Sequence, residues 1–281
     1  MPNLIQTRKH PRSRALARLS ALSAATLLLW GAGCTRDGEG STPERRDGVS
    51  ADSADGALGL PTRKVPPYRV AAISNPGSVR GAIDASGLPA PSAPACGGAV
   101  PTPTSTIVWL DDIRTGLDVP ADRKLDRRLE LTAARCRLEP RLQLALVGST
   151  LNVHNDESVA HQVQLFRDGG TQPIYRIPFI FAGQVVPAQR PLSVPGVLEI
   201  RSTQDSALRS VVVVVDHPYA AVATADGQFT IDSVPPGRYT LMATNGNGVA
   251  QQAVEVTAGA GGQPVVLRLA PKATVAVSDS R

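Results

Sequence analysis

The 281-residue chain has a formal net charge of +5, 25 glycines, 24 prolines and only 4% aromatic residues. The first 33 residues contain no acid and five basic residues, Arg8, Lys9, Arg12, Arg14 and Arg18, so the remaining chain has no net charge. This distribution leaves the folded part with no excess of basic residues to argue for nucleic-acid binding, and the composition favours short strands and turns over helices.

The N-terminus has the pattern of an export signal. A basic stretch is followed by the apolar residues 19–30 and the small residues 31–33, which predicts a secretory signal peptide over residues 1–33. The apolar run is shorter than the roughly 20 residues of a membrane span. An uncleaved signal anchor is the alternative.

Cys34 follows Gly31-Ala32-Gly33 directly. This ending resembles the lipobox of bacterial lipoproteins, although Gly31 stands where that family usually has Leu. The resemblance implies that Cys34 is acylated and becomes the new N-terminus; simple cleavage is the alternative. Thr35 stands where an Asp would retain such lipoproteins at the inner membrane, so an outer-membrane anchor facing the periplasm or the surface is favoured. Residues 34–67 are poor in apolar side chains and predict a flexible tether.

From Tyr68 onward, short apolar or alternating runs are separated by turn residues, which predicts an all-β protein of one or two sandwiches. The predicted strands cover residues 68–73, 77–83, 105–110, 128–132, 141–147, 150–155, 162–166, 196–202, 210–216, 229–231, 239–244, 253–256 and 265–269.

Two cysteines remain if Cys34 is acylated. Cys96 and Cys136 then form an even pair in an oxidising compartment, for which a disulfide is the default expectation. Two free buried thiols are the alternative.

Residues 138–163 contain a Pro, an apolar strand, a Gly-Ser turn, a strand that ends at His154-Asn155-Asp156, and then His161. This order resembles the first half of a cupredoxin, which implies a Greek-key sandwich over residues 124–216, with His161 at the first copper-ligand position. The other ligand positions, a Cys, a His and a Met in the family, fall on Ser202, Asp205 and Leu208. Blue-copper sites require a thiolate, so the resemblance implies the fold and argues against the metal.

Residues 219–241 contain an Asp226-Gly227 turn, inward-pointing Phe229 and Ile231, and a Pro235-Pro236-Gly237 turn. They resemble the carboxypeptidase regulatory-like domains, which are transthyretin-like sandwiches also similar to starch-binding-like folds. Residues 77–83 fit the opening of that family. The resemblance implies a sandwich over residues 68–123 and 217–271, with a tail at 272–281. Whether the cupredoxin-like segment is nested within it or the two follow one another stays open; nesting is favoured because neither half alone offers enough surface for a core.

The sequence contains no Gly-x-Ser-x-Gly, His-Glu-x-x-His or phosphate-loop motif, so an enzyme is not expected and no cofactor is predicted. The aspartate pairs Asp111–Asp112 and Asp226–Asp232 are interpreted as turn residues rather than a glycosidase pair. A zinc site at His154 and His161 lacks further ligands.

These features predict a non-enzymatic envelope lipoprotein whose sandwiches bind a glycan, a cell-wall component or a partner protein, with the membrane contacted through the lipid anchor. Trp109 is predicted to be a core residue, which weakens the carbohydrate version. A copper electron-transfer protein is the alternative, and a hydrolase is a third possibility.

Overall fold

The computed structural model describes residues 67–90, 105–125, 127–177, 180–188, 190–205, 208–259 and 261–272. The described residues all belong to one compact unit. The predicted signal, most of the tether, Cys34 and Cys96 lie outside the described residues. No helix among the described residues is long and apolar enough to cross a membrane.

The first sandwich is built from strands on both sides of residues 128–215. Its strands are β1 (Arg69–Val70), β2 (Gly77–Asp84), β3 (Ile107–Leu110), β4 (Thr115–Gly116), β14 (Ala220–Val222), β15 (Gln228–Val234), β16 (Gly237–Thr244), β17 (Gly248–Val256), β18 (Val265–Arg268) and β19 (Ala270–Pro271). A five-stranded sheet has the order β14-β3-β16-β17-β19, a three-stranded sheet has the order β15-β2-β18, and β1 pairs with β4 in parallel.

The strands of residues 128–215 form a second sandwich, called here the inserted sandwich. They are β5 (Arg128–Ala134), β6 (Arg137–Glu139), β7 (Leu142–Leu146), β8 (Thr150–Asn155), β9 (Val163–Arg167), β10 (Pro173–Arg176), β11 (Val185–Pro187), β12 (Gly196–Ser202) and β13 (Arg209–Val215). The two sheets have the orders β10-β9-β12-β13-β7 and β11-β8-β5-β6. The one-turn helix α1 (Ala121–Leu125) precedes β5.

The all-β sandwich class predicted from the sequence is confirmed. Each sandwich has its own core: Leu131, Val153, Ile200 and Val212 are among the buried residues of the inserted one, and Val108, Leu110, Phe229 and Leu241 are among those of the first. The predicted strand at residues 68–73 is only two residues long, and β6, β10 and β11 carry too few alternating residues to be recognised in the sequence.

A third apolar cluster joins the two sandwiches and is called here the junction. It contains Ile107 and Trp109 of β3 together with Leu146, Val213 and Val215 from β7 and β13. Both faces of β3 and β13 are therefore buried, one in a sandwich core and one in the junction. Double burial explains why these strands are unbroken apolar runs in the sequence rather than alternations.

Candidate functional site

His161 lies at the end of the inserted sandwich, where its backbone pairs with Ile180. Its side chain is 4% exposed, and Nε2 lies 2.9 Å from Glu157 Oε2. The other ring nitrogen, Nδ1, is buried and has no hydrogen-bond partner among the described residues. The carboxylate of Glu157 fixes the ring by accepting the Nε2 proton.

The loop that follows β12 lies beside the residue next to His161. Thr203 donates its backbone N–H to Gln162 O at 3.0 Å, and Gln204 Oε1 accepts the Gln162 N–H at 2.8 Å. The structure therefore brings the loop of Ser202, Asp205 and Leu208 to the same end of the sandwich as His161.

The side chains of this loop make contacts within the loop and with the core of the inserted sandwich. Ser202 Oγ accepts the backbone N–H groups of Gln204 at 3.2 Å and Asp205 at 3.4 Å. Leu208 is fully buried in the core of the inserted sandwich. Within the described ranges, no group of three or more His, Cys, Asp or Glu side chains could hold a metal ion. A hydroxyl and a leucine do not supply the soft ligands of a copper site.

Cys136 lies in the turn between β5 and β6 and is disulfide-bonded. Cys96, its predicted partner, lies outside the described residues, so the pairing stays a prediction, as does the acylation of Cys34. The turn residues Arg135 and Cys136 have φ angles of 52° and 58°, which is the left-handed conformation of a tight two-residue hairpin. Glu157 also accepts the backbone N–H of Cys136 through Oε1.

The remaining polar candidates have structural partners. His154 Nε2 lies 2.6 Å from Glu130 Oε2, and this hydrogen bond is the main reason that the pKa of Glu130 is lowered. Asp112 accepts the backbone N–H of Thr240 at 2.9 Å, and Asp226 accepts the hydroxyl proton of Thr224. These contacts are those of turn and strand-end residues.

His217 is the most strongly perturbed histidine among the described residues. It is 3% exposed, its ring stacks on Tyr219 at 5.9 Å between centroids, and its Nδ1 accepts the Tyr219 backbone N–H at 3.2 Å. Burial lowers the pKa of His217 to about 4 and raises that of the neighbouring Tyr68 hydroxyl. His217 is therefore neutral at physiological pH and belongs to a packed aromatic cluster.

A recess opens where the turn between β16 and β17 faces the start of β7 and β13. It comprises about 200 Å³ of space open to solvent, and its lining residues are Arg141, Arg209, Ser210, Val211, Asn245, Gly246 and Asn247. Gly246 has a φ of 85°, and a Cβ atom there would lie 3.5 Å from Val211 Cγ2. The turn thus sits on the inserted sandwich and closes one side of the recess, which we call the inter-sandwich recess.

The inter-sandwich recess is rich in positive charge. Arg209 Nη2 lies 2.5 Å from Glu199 Oε1. Arg141 has no ion-pair partner within 4 Å among the described residues. Burial lowers the pKa of Arg141, and the nearby charges of Arg209 and Arg137 lower it further.

Sequence reasoning did not identify these recess residues. Arg141 and Arg209 each stand at the beginning of an apolar strand, where the sequence gives no reason to distinguish them from ordinary solvated arginines. The run Asn245-Gly246-Asn247-Gly248 is a visible turn signal. What the sequence does not reveal is that the turn packs against a strand far from it along the chain.

Comparison with known families gives one partial match. Residues 200–263 match the family model described as polysaccharide lyase family 4, domain II, a β-sandwich. The match covers less than a quarter of the chain. No curated protein matches the sequence.

Comparison with solved structures gives cupredoxins at low similarity. A purple cupredoxin from Nitrosopumilus maritimus is 18% identical, with 31% of this chain and 99% of that chain covered and a TM-score of 0.28. A point mutant of amicyanin in the Cu(I) form is 20% identical, with 32% and 84% covered and the same TM-score. A copper-containing nitrite reductase from Thermus scotoductus is 13% identical, with 31% and 22% covered and a TM-score of 0.28. Similarity at this level carries no functional argument. The family match alone shows that the chain contains a β-sandwich domain that resembles domain II of polysaccharide lyase family 4.

Proposed function

We propose that this chain is a non-enzymatic binding module of the bacterial cell envelope that holds an envelope glycan in the inter-sandwich recess. In this proposal the chain is exported, the signal over residues 1–33 is removed, and acylated Cys34 anchors the sandwiches to a membrane through the tether. The outer membrane is the favoured location because Thr35 follows the cysteine.

One observation carries the proposal. Six of the seven residues that line the recess, all except Arg141, fall within residues 200–263. That segment resembles a domain of enzymes named for cleaving polysaccharides. The resemblance and the surface recess therefore coincide on the same short part of the chain, and a recess at the meeting of two sandwiches is a common place for ligands.

A binding role without catalysis agrees with the side chains present. His154 and His161 are each paired with a glutamate, and His217 is buried and neutral. A nucleophile needs a base within reach, and these three histidines are all engaged elsewhere. Trp109 is 4% exposed, so the glycan would be held by arginine and asparagine side chains rather than by stacking on that ring.

The test uses the mature protein, with Cys34 replaced by Ser, immobilised and incubated with solubilised envelopes and with purified cell-wall glycan fractions. We expect a glycan fraction to be retained. Asn247→Leu, which replaces the amide with an apolar side chain of similar size, should abolish retention, whereas Arg128→Gln on the exposed side of β5 should not. If only proteins are retained, the chain is a scaffold for a partner protein instead. If a glycan is retained equally well by the Asn247→Leu variant, the glycan binds at a different site.

A further inference from the structure

The positive charge at the inter-sandwich recess is not balanced by its neighbours. Glu199 lies 2.5 Å from Arg209 but also 3.8 Å from Arg201 and 3.9 Å from Lys272, so one carboxylate serves three cations. Lys272 has a second partner in Asp168, and Arg137 lies 3.8 Å from Glu139. Together with Arg141, these ion pairs contain five cations, Arg137, Arg141, Arg201, Arg209 and Lys272, and three carboxylates, Asp168, Glu139 and Glu199.

Arg141 is the cation of this set whose side chain has neither an ion pair nor a hydrogen bond among the described residues. It is half-buried at the start of the β7 edge strand, where its backbone carbonyl accepts the Val211 N–H at 2.9 Å. Like-charged Arg209 and Arg137 stand nearby, as does the carboxylate of Glu139. A partly desolvated guanidinium that makes no direct ion pair attracts an anion, and its planar fork suits a carboxylate or a phosphate group.

Asn247 lines the same recess as Arg141 and is exposed. Its backbone is fixed, because its N–H donates to Asn245 Oδ1 at 3.0 Å and its carbonyl accepts the Lys272 N–H at 3.1 Å. Its side-chain amide has no hydrogen-bond partner among the described residues and is free to donate to a ligand.

We propose that the inter-sandwich recess binds an anionic group, a carboxylate or a phosphate, carried by the envelope glycan, with Arg141 as the principal contact and Asn247 as a second donor. The recess is small and open to solvent, so it accommodates one charged group of a longer polymer. This inference rests on the proposed function for the identity of the polymer, but the anion contact is measurable without it.

The first experiment uses acetate and inorganic phosphate with the mature full-length protein. We expect either anion to shift the side-chain Nε–H nuclear magnetic resonance signal of Arg141, with the effect weakened by added salt. The signal of Arg128, which lies outside the recess, should not move. If neither anion shifts Arg141 at saturating concentrations, the proposal is overturned.

The second experiment distinguishes the source of the anion with three ligands that differ only at one carbon: galactose, galacturonate and galactose 6-phosphate. We expect the better of the two charged sugars to bind about tenfold more tightly than galactose, which corresponds to one charge-assisted contact. Arg141→Gln should remove that advantage and Arg128→Gln should preserve it. Equal binding of all three sugars would overturn the proposal.

A pair of variants at one position separates charge from bulk. Asn247→Asp should weaken galacturonate or galactose 6-phosphate binding by about tenfold, because it places a negative charge in the recess, while Asn247→Lys should maintain or strengthen it. If the envelope experiment retains a glycan but both Asn247 variants bind charged sugars equally, the anion contact fails while the proposed function stands. If the charged sugars behave as expected but no envelope glycan is retained, the anion contact stands and the proposed function fails.

Discussion

Gly81 lies where β2 passes closest to β18. A Cβ atom at this position would lie 2.0 Å from the backbone carbonyl oxygen of Val265 and 3.0 Å from the Phe229 ring. Because the nearest obstacle is backbone rather than a flexible side chain, the parallel pair β2–β18 would have to separate. We predict that Gly81→Ala lowers the free energy of unfolding by about 3 kcal/mol, measured by urea denaturation.

Gly87 provides the matched control. The nearest atom to a Cβ there is Leu269 O at 3.7 Å, an ordinary contact. Gly87→Ala should therefore be neutral or slightly stabilising. If both variants lower the free energy of unfolding equally, the close approach of the Val265 backbone at Gly81 is not the cause of the destabilisation.

His217 makes stability depend on pH. Its pKa is lowered to about 4 in the folded protein by burial, against about 6.5 in an unfolded chain. Above pH 6.5 the ring is neutral in both states and its contribution is constant. Between pH 6.5 and 4 the unfolded chain binds the proton first, so we predict that the free energy of unfolding falls by up to about 3 kcal/mol from this residue as the pH drops.

The contribution of His217 is isolated by His217→Asn, which removes the titrating ring but retains an acceptor for the Tyr219 N–H. Urea denaturation at several pH values should show a shallower acid dependence for the variant than for the wild type. Parallel curves would mean that His217 is protonated in the folded protein or that its environment opens before it titrates.

The contacts of Ser202 argue against the alternative hypothesis of a copper electron-transfer protein. Its hydroxyl is engaged by the N–H groups of Gln204 and Asp205, and a hydroxyl is not a soft ligand at neutral pH. We predict that Cu(II) added to the purified mature protein gives no intense blue absorption. A blue protein would require a cysteine thiolate at the metal and would contradict the placement of Ser202 at the ligand position.

At the scale of elements, Glu157 ties the β5–β6 hairpin to the loop between β8 and β9. It accepts the N–H of Cys136 through one oxygen and pairs with His161 through the other, and its side chain is 14% exposed. We predict that Glu157→Ala lowers the free energy of unfolding by about 3 kcal/mol, because it leaves the buried His161 ring and the half-buried Cys136 N–H without their partner.

Glu157→Gln is the conservative comparison. Its amide oxygen can still accept the Cys136 N–H, so the loss should be about 1 kcal/mol. Chemical denaturation under non-reducing conditions measures both variants. If Glu157→Gln and Glu157→Ala lower the free energy of unfolding equally, the stabilisation comes from the pair with His161 rather than from the contact with the hairpin.

Some strands can be predicted from the sequence pattern, and others cannot. Strand β8 alternates between buried and partly exposed residues and was predicted at its observed bounds. Strand β13 contains five consecutive valines, and only the structure reveals that the second face of this strand is covered by the first sandwich. The short strands β10 and β11 pair along the sheet edges, where few buried side chains mark them in the sequence.

The candidate site was less accessible to prediction than the fold. His161 and Ser202 could be placed because they stand in a recognisable local order. The inter-sandwich recess could not, because it arises from contact between a turn at Gly246 and a strand that begins at Arg209. Only the packing of one sandwich on the other brings these residues together.

At the scale of the whole molecule, the junction lies between the two sandwich cores, and we expect it to couple their unfolding. Trp109 is its largest side chain, packed with Leu146, Val213 and Val215. We predict that Trp109→Ala lowers the free energy of unfolding by about 4 kcal/mol and converts a single unfolding transition into two. Urea denaturation monitored by circular dichroism measures both effects.

Trp109→Phe tests whether a smaller aromatic ring at the junction is enough to keep the unfolding of the two sandwiches coupled. It retains an aromatic ring but loses part of the buried indole volume and the weak contact of Nε1 with Asp111 at 3.4 Å. It should keep the single transition at a cost of about 1–2 kcal/mol. A single transition in Trp109→Ala as well would show that the strands shared around the insertion, rather than the apolar junction, couple the sandwiches.

The position of Trp109 gives the protein an intrinsic optical reporter. The chain has two tryptophans, Trp30 and Trp109, and Trp30 belongs to the predicted export signal. Removal of that signal would leave all indole fluorescence to a side chain that is 4% exposed between the two sandwiches. A red shift of its emission would then register the separation of the sandwiches even while each keeps its strands.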